Sequence, residues 1–246
     1  MARWRGGSRS MTRQKAVIVG AGGIGLALAD KWQQSGQYNV HVLSRSSPLD
    51  AQWQGWESDY SDESLAHIAE GIAEAPGELA RLVITNGVLQ GEGFRPERAL
   101  RQLSRSAMRQ IFEVNTMLPM VALGAFESQL KQAEKPRVAV LSARVGSIGD
   151  NRLGGWYSYR ASKSALNMML QCAAIELHRL NRQLKLIAFH PGTVDTALSK
   201  PFQRGVPADK LFAPAFVADQ LNSILNDVKA DGSLSYLDWA GEPIPW

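Results

Sequence analysis

Short apolar runs and longer stretches with helical spacing alternate along almost the whole chain. Residues 15–19 (KAVIV) form a β-branched run that ends at glycine, the pattern of a strand buried on both faces. A glycine-rich turn and a helical stretch up to Gly36 follow, then a second strand over 38–43 (YNVHVL). Leu65, Ile68 and Ile72 recur near a period of 3.6 and predict a helix over 61–75. Further strands are predicted at 79–84, 137–141 and 184–189, with a last one in SLSYLDW. Long helices are expected over about 104–132, with Pro119 inside, over 156–180, and near 214–228.

Short apolar strands in regular alternation with helices need cover on both faces. The expected fold class is therefore α/β: one Rossmann-like domain over residues 14–246, with a mostly parallel, doubly wound sheet. No Pro/Gly/Ser linker divides it, and no internal repeat is evident.

Charge changes the picture only at the N-terminus. Residues 1–13 carry Arg3, Arg5, Arg9 and Arg13 and no acid; taking those four from 27 leaves 23 basic residues against 23 acidic ones. This segment has no apolar stretch and reads as a disordered extension, or one preceding a start at Met11. The balanced body shows no basic stripe, so a nucleic-acid partner is not expected. No run of 18 apolar residues occurs, so no membrane span is expected. The one cysteine, Cys172, excludes an intrachain disulfide and suits a reducing cytoplasm. It is expected in core or helix-interface packing. The four histidines lack metal-ligand spacing, and no metal is expected.

Two motifs carry chemistry. Gly20-Ala21-Gly22-Gly23-Ile24-Gly25 matches G-x-G-x-x-G between a predicted strand and a predicted helix, the context in which backbone amides at a helix N-terminus receive a pyrophosphate. At the tip of the second strand stand Ser44 and Arg45, with Ser46 and Ser47 beyond and no acid before Asp50. A guanidinium and hydroxyls there suit a ribose 2′-phosphate, so NADP, with NADPH preferred over NADH, is the expected cofactor. The second motif is Tyr159-x-x-x-Lys163. On a helix these two share a face, and an ammonium beside a phenol is expected to lower the phenol's pKa from about 10.

Together the glycine turn, Asn115, the strand end LSARVGSI (141–148), YxxxK and HPGTVDT (190–196) resemble the short-chain dehydrogenase/reductase family over essentially 15–246. Within it, the stretches around 142–163 and 237–246 are similar to the C-factor-like (cell–cell signalling) subgroup and to the sniffer-type carbonyl reductases. The resemblance implies Tyr159 as proton donor or acceptor. Lys163 would tune it and hold the nicotinamide ribose, and Asn115 would anchor a water linking Lys163 to solvent. It implies adenine contacts from Asp59, with Tyr60 beside it, and backbone contacts from Asn86 and Gly87. Pro191, Gly192, Val194 and Thr196 would lie against the nicotinamide. It also implies a homodimer or homotetramer through the helices around 104–132 and 156–180.

Two departures from the family pattern stand out. The glycine turn is one residue shorter than T-G-x-x-x-G-x-G. The usual catalytic serine, the second of S-S-x-x-G, is Ala143 here. Ser142 and Ser147 both remain candidates for polarising the substrate carbonyl. The expected function is an NADP(H)-dependent oxidoreductase moving a hydride between nicotinamide and a carbonyl or alcohol. The alternative is a C-factor-like nucleotide-binding regulator with little turnover. The loop at about 196–212, with Phe202, Val206, Leu211 and Phe212, is expected to cover the substrate.

Overall fold

The structure, a computed structural model, describes residues 13–46 and 52–246. The Arg-rich stretch up to Thr12, and Ser47 and Asp50 of the second strand's loop, lie outside the described residues.

Seven parallel strands form the sheet. They are β1 (Gln14–Val19), β2 (Tyr38–Ser44), β3 (Gln54–Glu57), β4 (Leu79–Ile84), β5 (Arg137–Leu141), β6 (Lys185–His190) and, after a two-stranded ladder, β9 (Ser235–Asp238). Their order is β3-β2-β1-β4-β5-β6-β9, so the winding reverses beside β1, between β1 and β4. The ladder pairs β7 (Thr193–Val194) with β8 (Leu211–Phe212). Helices α1 (Gly23–Ser35), α2 (Asp62–Glu74), α3 (Arg105–Phe112), α4 (Leu118–Ala125), α5 (Glu127–Gln132), α6 (Tyr157–Leu180) and α7 (Pro214–Asp227) cover both faces.

Strand side chains alternate between two cores, as the pleat requires. Val138 and Val140 of β5 join Leu65, Phe126 and Leu166 on the face of α2, α4 and α6. Ala139 and Leu141 join Leu28, Trp32 and Leu221 on the face of α1 and α7. Trp32 is fully buried, and its Nε1 donates to Asn222 Oδ1 at 2.8 Å, so α1 and α7 are pinned as well as packed. The amino-terminal ends of β1 and β6 hold two buried lysines. Lys15 Nζ donates to the carbonyls of Ile72 (2.9 Å) and Ala75 (3.0 Å) at the end of α2, and Lys185 Nζ meets Asp231 Oδ1 at 2.5 Å.

The structure differs from the sequence pattern in four places. The span 104–132 is not one helix: a π-helical turn at Glu113–Met117 separates α3 from α4, and Phe126 ends α4. Pro119 sits in the first turn of α4, where its missing N–H costs least. Strand β3 is too short and too polar (QGWE) to show a strand period, and it forms by pairing Val42 with Gly55 and Leu43 with Trp56. Cys172 is exposed on α6, beside exposed Met168, Met169 and Ile175, and is not in the core. Of the predicted cover loop, Phe212 packs instead on Phe216 and Trp239 at 5.0 and 4.5 Å between ring centres. Among the described residues no helix is long and apolar enough to cross a membrane, and no group of three or more His, Cys, Asp or Glu could hold a metal.

Candidate active site

A cavity of about 820 Å³ opens where the winding reverses, at the carboxyl ends of β1, β4, β5 and β6. That is where open α/β sheets bind ligands, because the diverging loops leave a crevice. One end is the glycine turn. Gly20 has φ +107, and its carbonyl accepts from Thr85 Oγ1 at 2.8 Å, tying the β1 turn to β4. A Cβ on Gly25 would collide with the Gly20 carbonyl, so only glycine lets α1 start this close to β1. Gly22, Gly23, Ile24 and Gly25 all line the cavity, and a Cβ on Gly22 would meet nothing within 4 Å. Helix α1 has no side-chain cap and no acid in its first turn, so its N-terminal amides and dipole remain available to an anion.

Arg45 is exposed at the tip of β2 and lines the same cavity. Ser44 does not line it: its hydroxyl donates to the Ser46 carbonyl and is used within the turn. Asp59 does not line it either. Its carboxylate accepts from Ser61 N at 2.9 Å in the turn ahead of α2, and that bond holds its pKa below the usual carboxylate range. Tyr60 packs beneath, its hydroxyl donating to the Leu43 carbonyl at 3.3 Å. Asn86 and Gly87 line the cavity floor, and Asn86 Oδ1 is buried without a hydrogen-bond partner. A buried orphan acceptor beside a glycine cradle is a feature that a bound group with donors would satisfy.

The other end holds Tyr159 and Lys163, one turn apart on α6 and both buried. Lys163 Nζ donates to the Leu141 carbonyl at 2.8 Å, and burial brings its pKa down to about 7. The expected lowering of the Tyr159 phenol is corrected: burial pushes it up to about 12, aided by Tyr236, while the lysine head is held by the β5 carbonyl. Asn115 is fully buried in the π-helical turn. Its Oδ1 accepts from Val88 N at 2.7 Å, and its Nδ2 donates to the Val88 carbonyl (2.8 Å) and to Ser162 Oγ (3.1 Å). Its amide therefore fixes the loop after β4 and does not line the cavity. A Cβ on Gly87 would lie 3.6 Å from Asn115 Oδ1 and 3.7 Å from Lys163 Nζ, so the two groups flank that glycine.

Neither serine presents its hydroxyl beside Tyr159. Ser142 lines the cavity, but its Oγ donates to Asn167 Oδ1 at 2.6 Å, on the face of the sheet covered by α6. Ser147 is buried outside the cavity lining, its Oγ accepting from Asp150 N at 3.0 Å. Ala143 packs with Leu89 and Tyr159 instead, with Val145, Trp156 and Phe202 around them. Pro191, Gly192, Val194 and Thr196 line the middle of the cavity, as does His190. Of the predicted cover loop, Phe202 and Val206 reach the lining, joined by Leu198. Trp156, Leu89 and Thr85 were not singled out from the sequence. Trp156 adjoins the YxxxK motif, which was the available signal.

Two histidines are held neutral by burial, His41 and His190, each with its pKa down to about 4. The unfolded chain takes up their protons between about 6.5 and 4, which the fold resists. Stability is thus full above about 6.5 and falls as the pH drops through that window. Thermal midpoints measured from pH 7.5 to 4 should show this fall, and His41→Gln with His190→Gln should flatten it. An unchanged slope in the double variant would contradict the assignment.

Known proteins bear on the same arrangement. The family model for short chain dehydrogenase matches residues 14–206. The C-signal protein of Myxococcus xanthus is 30% identical over 148 residues, 60% of this chain and 84% of that one. The 1-hydroxy-2-glutathionyl-2-methyl-3-butene dehydrogenase of Rhodococcus sp. is 32% identical over 144 residues, 58% of each chain. The fold is shared with NADPH-bound carbonyl reductase from chicken fatty liver (TM-score 0.81, 22% identity, 95% of this chain and 100% of that one). It is shared equally with carbonyl reductase Sniffer of D. melanogaster (TM-score 0.80, 17% identity, the same coverage). A match spanning most of the sheet, from the glycine turn through the YxxxK helix, makes this chain an oxidoreductase of the short-chain dehydrogenase family.

Proposed function

We propose that the protein is an NADP(H)-dependent reductase of carbonyl compounds, or dehydrogenase of the corresponding alcohols. The observation that carries this reading is a single cavity with the glycine turn and Arg45 at one end and Tyr159 with Lys163 at the other. The dinucleotide, when bound, supplies or accepts the hydride. The amides at the start of α1 receive its pyrophosphate, and Arg45 pairs with the 2′-phosphate. Asn86, Gly87 and the stretch from Pro191 to Thr196 shape the walls that hold it.

Tyr159 handles the proton. With its pKa near 12 the phenol is protonated at neutral pH, the form that donates to a carbonyl oxygen becoming an alkoxide. Lys163, near 7, exists in both forms at neutral pH and can return a proton to the phenolate. Asn115 keeps the loop after β4 against α6, so that Gly87 and Lys163 stay in register. Exposed Met117 at the end of the π-helical turn, Val121 on α4 and Met168, Met169 and Ile175 on α6 support a homodimer or homotetramer through these helices. The lone thiol of Cys172, exposed and unpaired with another cysteine, fits a reducing cytoplasm.

A second reading, a nucleotide-binding regulator with little turnover, has one observation in its favour: Ala143 stands beside Tyr159 and no serine hydroxyl joins it. NADPH oxidation with a panel of aldehydes, diketones and quinones separates the two. Turnover above background supports the reductase; tight NADPH binding with none across the panel supports the regulator. Cofactor choice is a separate test. NADPH should bind at least about tenfold more tightly than NADH, and Arg45→Asp should reverse the ranking. Equal wild-type affinities, measured by fluorescence titration, would remove Arg45 from the site.

A further inference from the structure

Beyond Tyr159 the cavity ends in an aromatic corner. The Trp156 ring stands edge-on to Tyr159, 6.2 Å between centres and 76° between planes. It is also edge-on to Phe202, at 5.5 Å and 62°. Leu89 and Val145 complete the wall. Trp156 is only partly buried and lines the cavity.

The backbone that presents this ring is unusual. Trp156 lies in the left-handed region (φ 51, ψ 41), directly after Gly154 (φ 61) and Gly155 (φ 66). A bulky residue adopts that conformation only where its surroundings hold it there. The holding group is Glu97, 3% exposed, in the loop between β4 and α3. Its carbonyl accepts from Trp156 N at 2.6 Å. Its carboxylate accepts from Ser158 N at 3.2 Å and from the Ser158 hydroxyl, on a residue with no exposure. Trp156 itself offers no capping side chain, so a carboxylate 61 residues away serves as the cap of α6. Arg160 Nε, donating to the Gly155 carbonyl at 3.0 Å, closes the turn from the other side. One clamp thus fixes both Trp156 and the first helical turn, which carries Tyr159.

We propose that Trp156 selects carbonyl compounds bearing an aromatic ring, and that Glu97 is the positioning residue that holds its indole beside Tyr159. This rests on the reading of the site as one that takes a carbonyl substrate. Two ring edges and faces already converge at the corner, and a third ring entering it gains an aromatic contact that a saturated ring of the same size does not. Aromatic pairs of this kind are worth about two- to tenfold in affinity beyond the area they bury.

The test uses the full chain with NADP⁺ bound and two probes of one skeleton, acetophenone and cyclohexyl methyl ketone. Dissociation constants come from ligand-observed NMR, and turnover from NADPH oxidation. Wild type should favour acetophenone by about two- to tenfold in binding and in KM, with kcat for the two less affected. Trp156→Leu should erase the preference and Trp156→Phe should keep most of it, with NADP⁺ affinity unchanged in both. Glu97→Leu should erase it as well, while Glu97→Gln, which keeps an acceptor for Ser158 N, should restore it. Equal binding of the two ketones by wild type overturns the proposal, as does a preference that survives Trp156→Leu or binding of neither ketone. If a ring preference is found in binding but neither ketone nor any member of the aldehyde, diketone and quinone panel is turned over, the reductase reading fails and the selectivity of Trp156 stands.

Discussion

Tyr159→Phe should lower turnover by about 10²- to 10⁴-fold while NADPH affinity stays within about twofold of wild type. The substitution removes one hydroxyl and keeps the ring, so the contacts of Tyr159 with Leu89, Ala143 and Trp156 survive. What disappears is the one side-chain hydroxyl in this apolar cluster that can protonate a developing alkoxide. Lys163→Ala should lose turnover together with some cofactor affinity, because its Nζ lies close to Gly87 on the cavity floor as well as one turn from Tyr159. Steady-state kinetics and a cofactor titration separate these outcomes. An active wild type that keeps its full rate with Tyr159→Phe would remove the tyrosine from the chemistry.

Ala143→Ser should raise turnover, by up to about 10²-fold, the amount that one donor aimed at a developing oxyanion is worth. Ala143 touches Tyr159 in the cavity wall, so a hydroxyl built on its Cβ enters the space where a carbonyl oxygen would meet the phenol. The added oxygen is small, and Ala143 keeps 7% exposure, so the cost in packing is slight. Ser142→Ala should leave turnover unchanged, because that hydroxyl is committed to Asn167 across the sheet. Its cost belongs to stability: Asn167 Oδ1 would lose its donor in a buried site, worth about 1–3 kcal/mol. Ser147→Ala should likewise spare turnover and loosen only the turn at Asp150. A tenfold or larger fall in turnover with Ser142→Ala, at unchanged cofactor affinity, would mean that its side chain turns into the cavity during the reaction.

How much of this was legible beforehand depended on the range of the interaction. The strands at 79–84 and 137–141 and helix α6 lie where their patterns place them, because burial on one or both faces writes its period directly into the residues. Strand β3 left no such mark: four mostly polar residues at the sheet edge form a strand only because β2 offers unpaired backbone groups. The π-helical turn around Asn115 was hidden for a related reason. It depends on an amide that bonds to Val88, 27 residues away, and a helical window does not contain its partner.

By itself the sequence determined the doubly wound fold, the glycine turn, the Arg45 position and the Tyr159–Lys163 face, since each is a local pattern of spacing and residue type. It also showed that Ala143 replaces a serine, and left Ser142 and Ser147 as alternatives. Only the tertiary structure decided where those hydroxyls go, because strand alternation sends Ser142 toward Asn167 while Ser147 is taken up by the loop that follows. It alone set the ionisation of the pair: burial raises Tyr159 and lowers Lys163, and burial is a property of everything packed around a group, not of its neighbours in the chain. The same holds for Trp156, whose left-handed backbone and place in the cavity wall depend on Glu97, a carboxylate brought in from a distant loop.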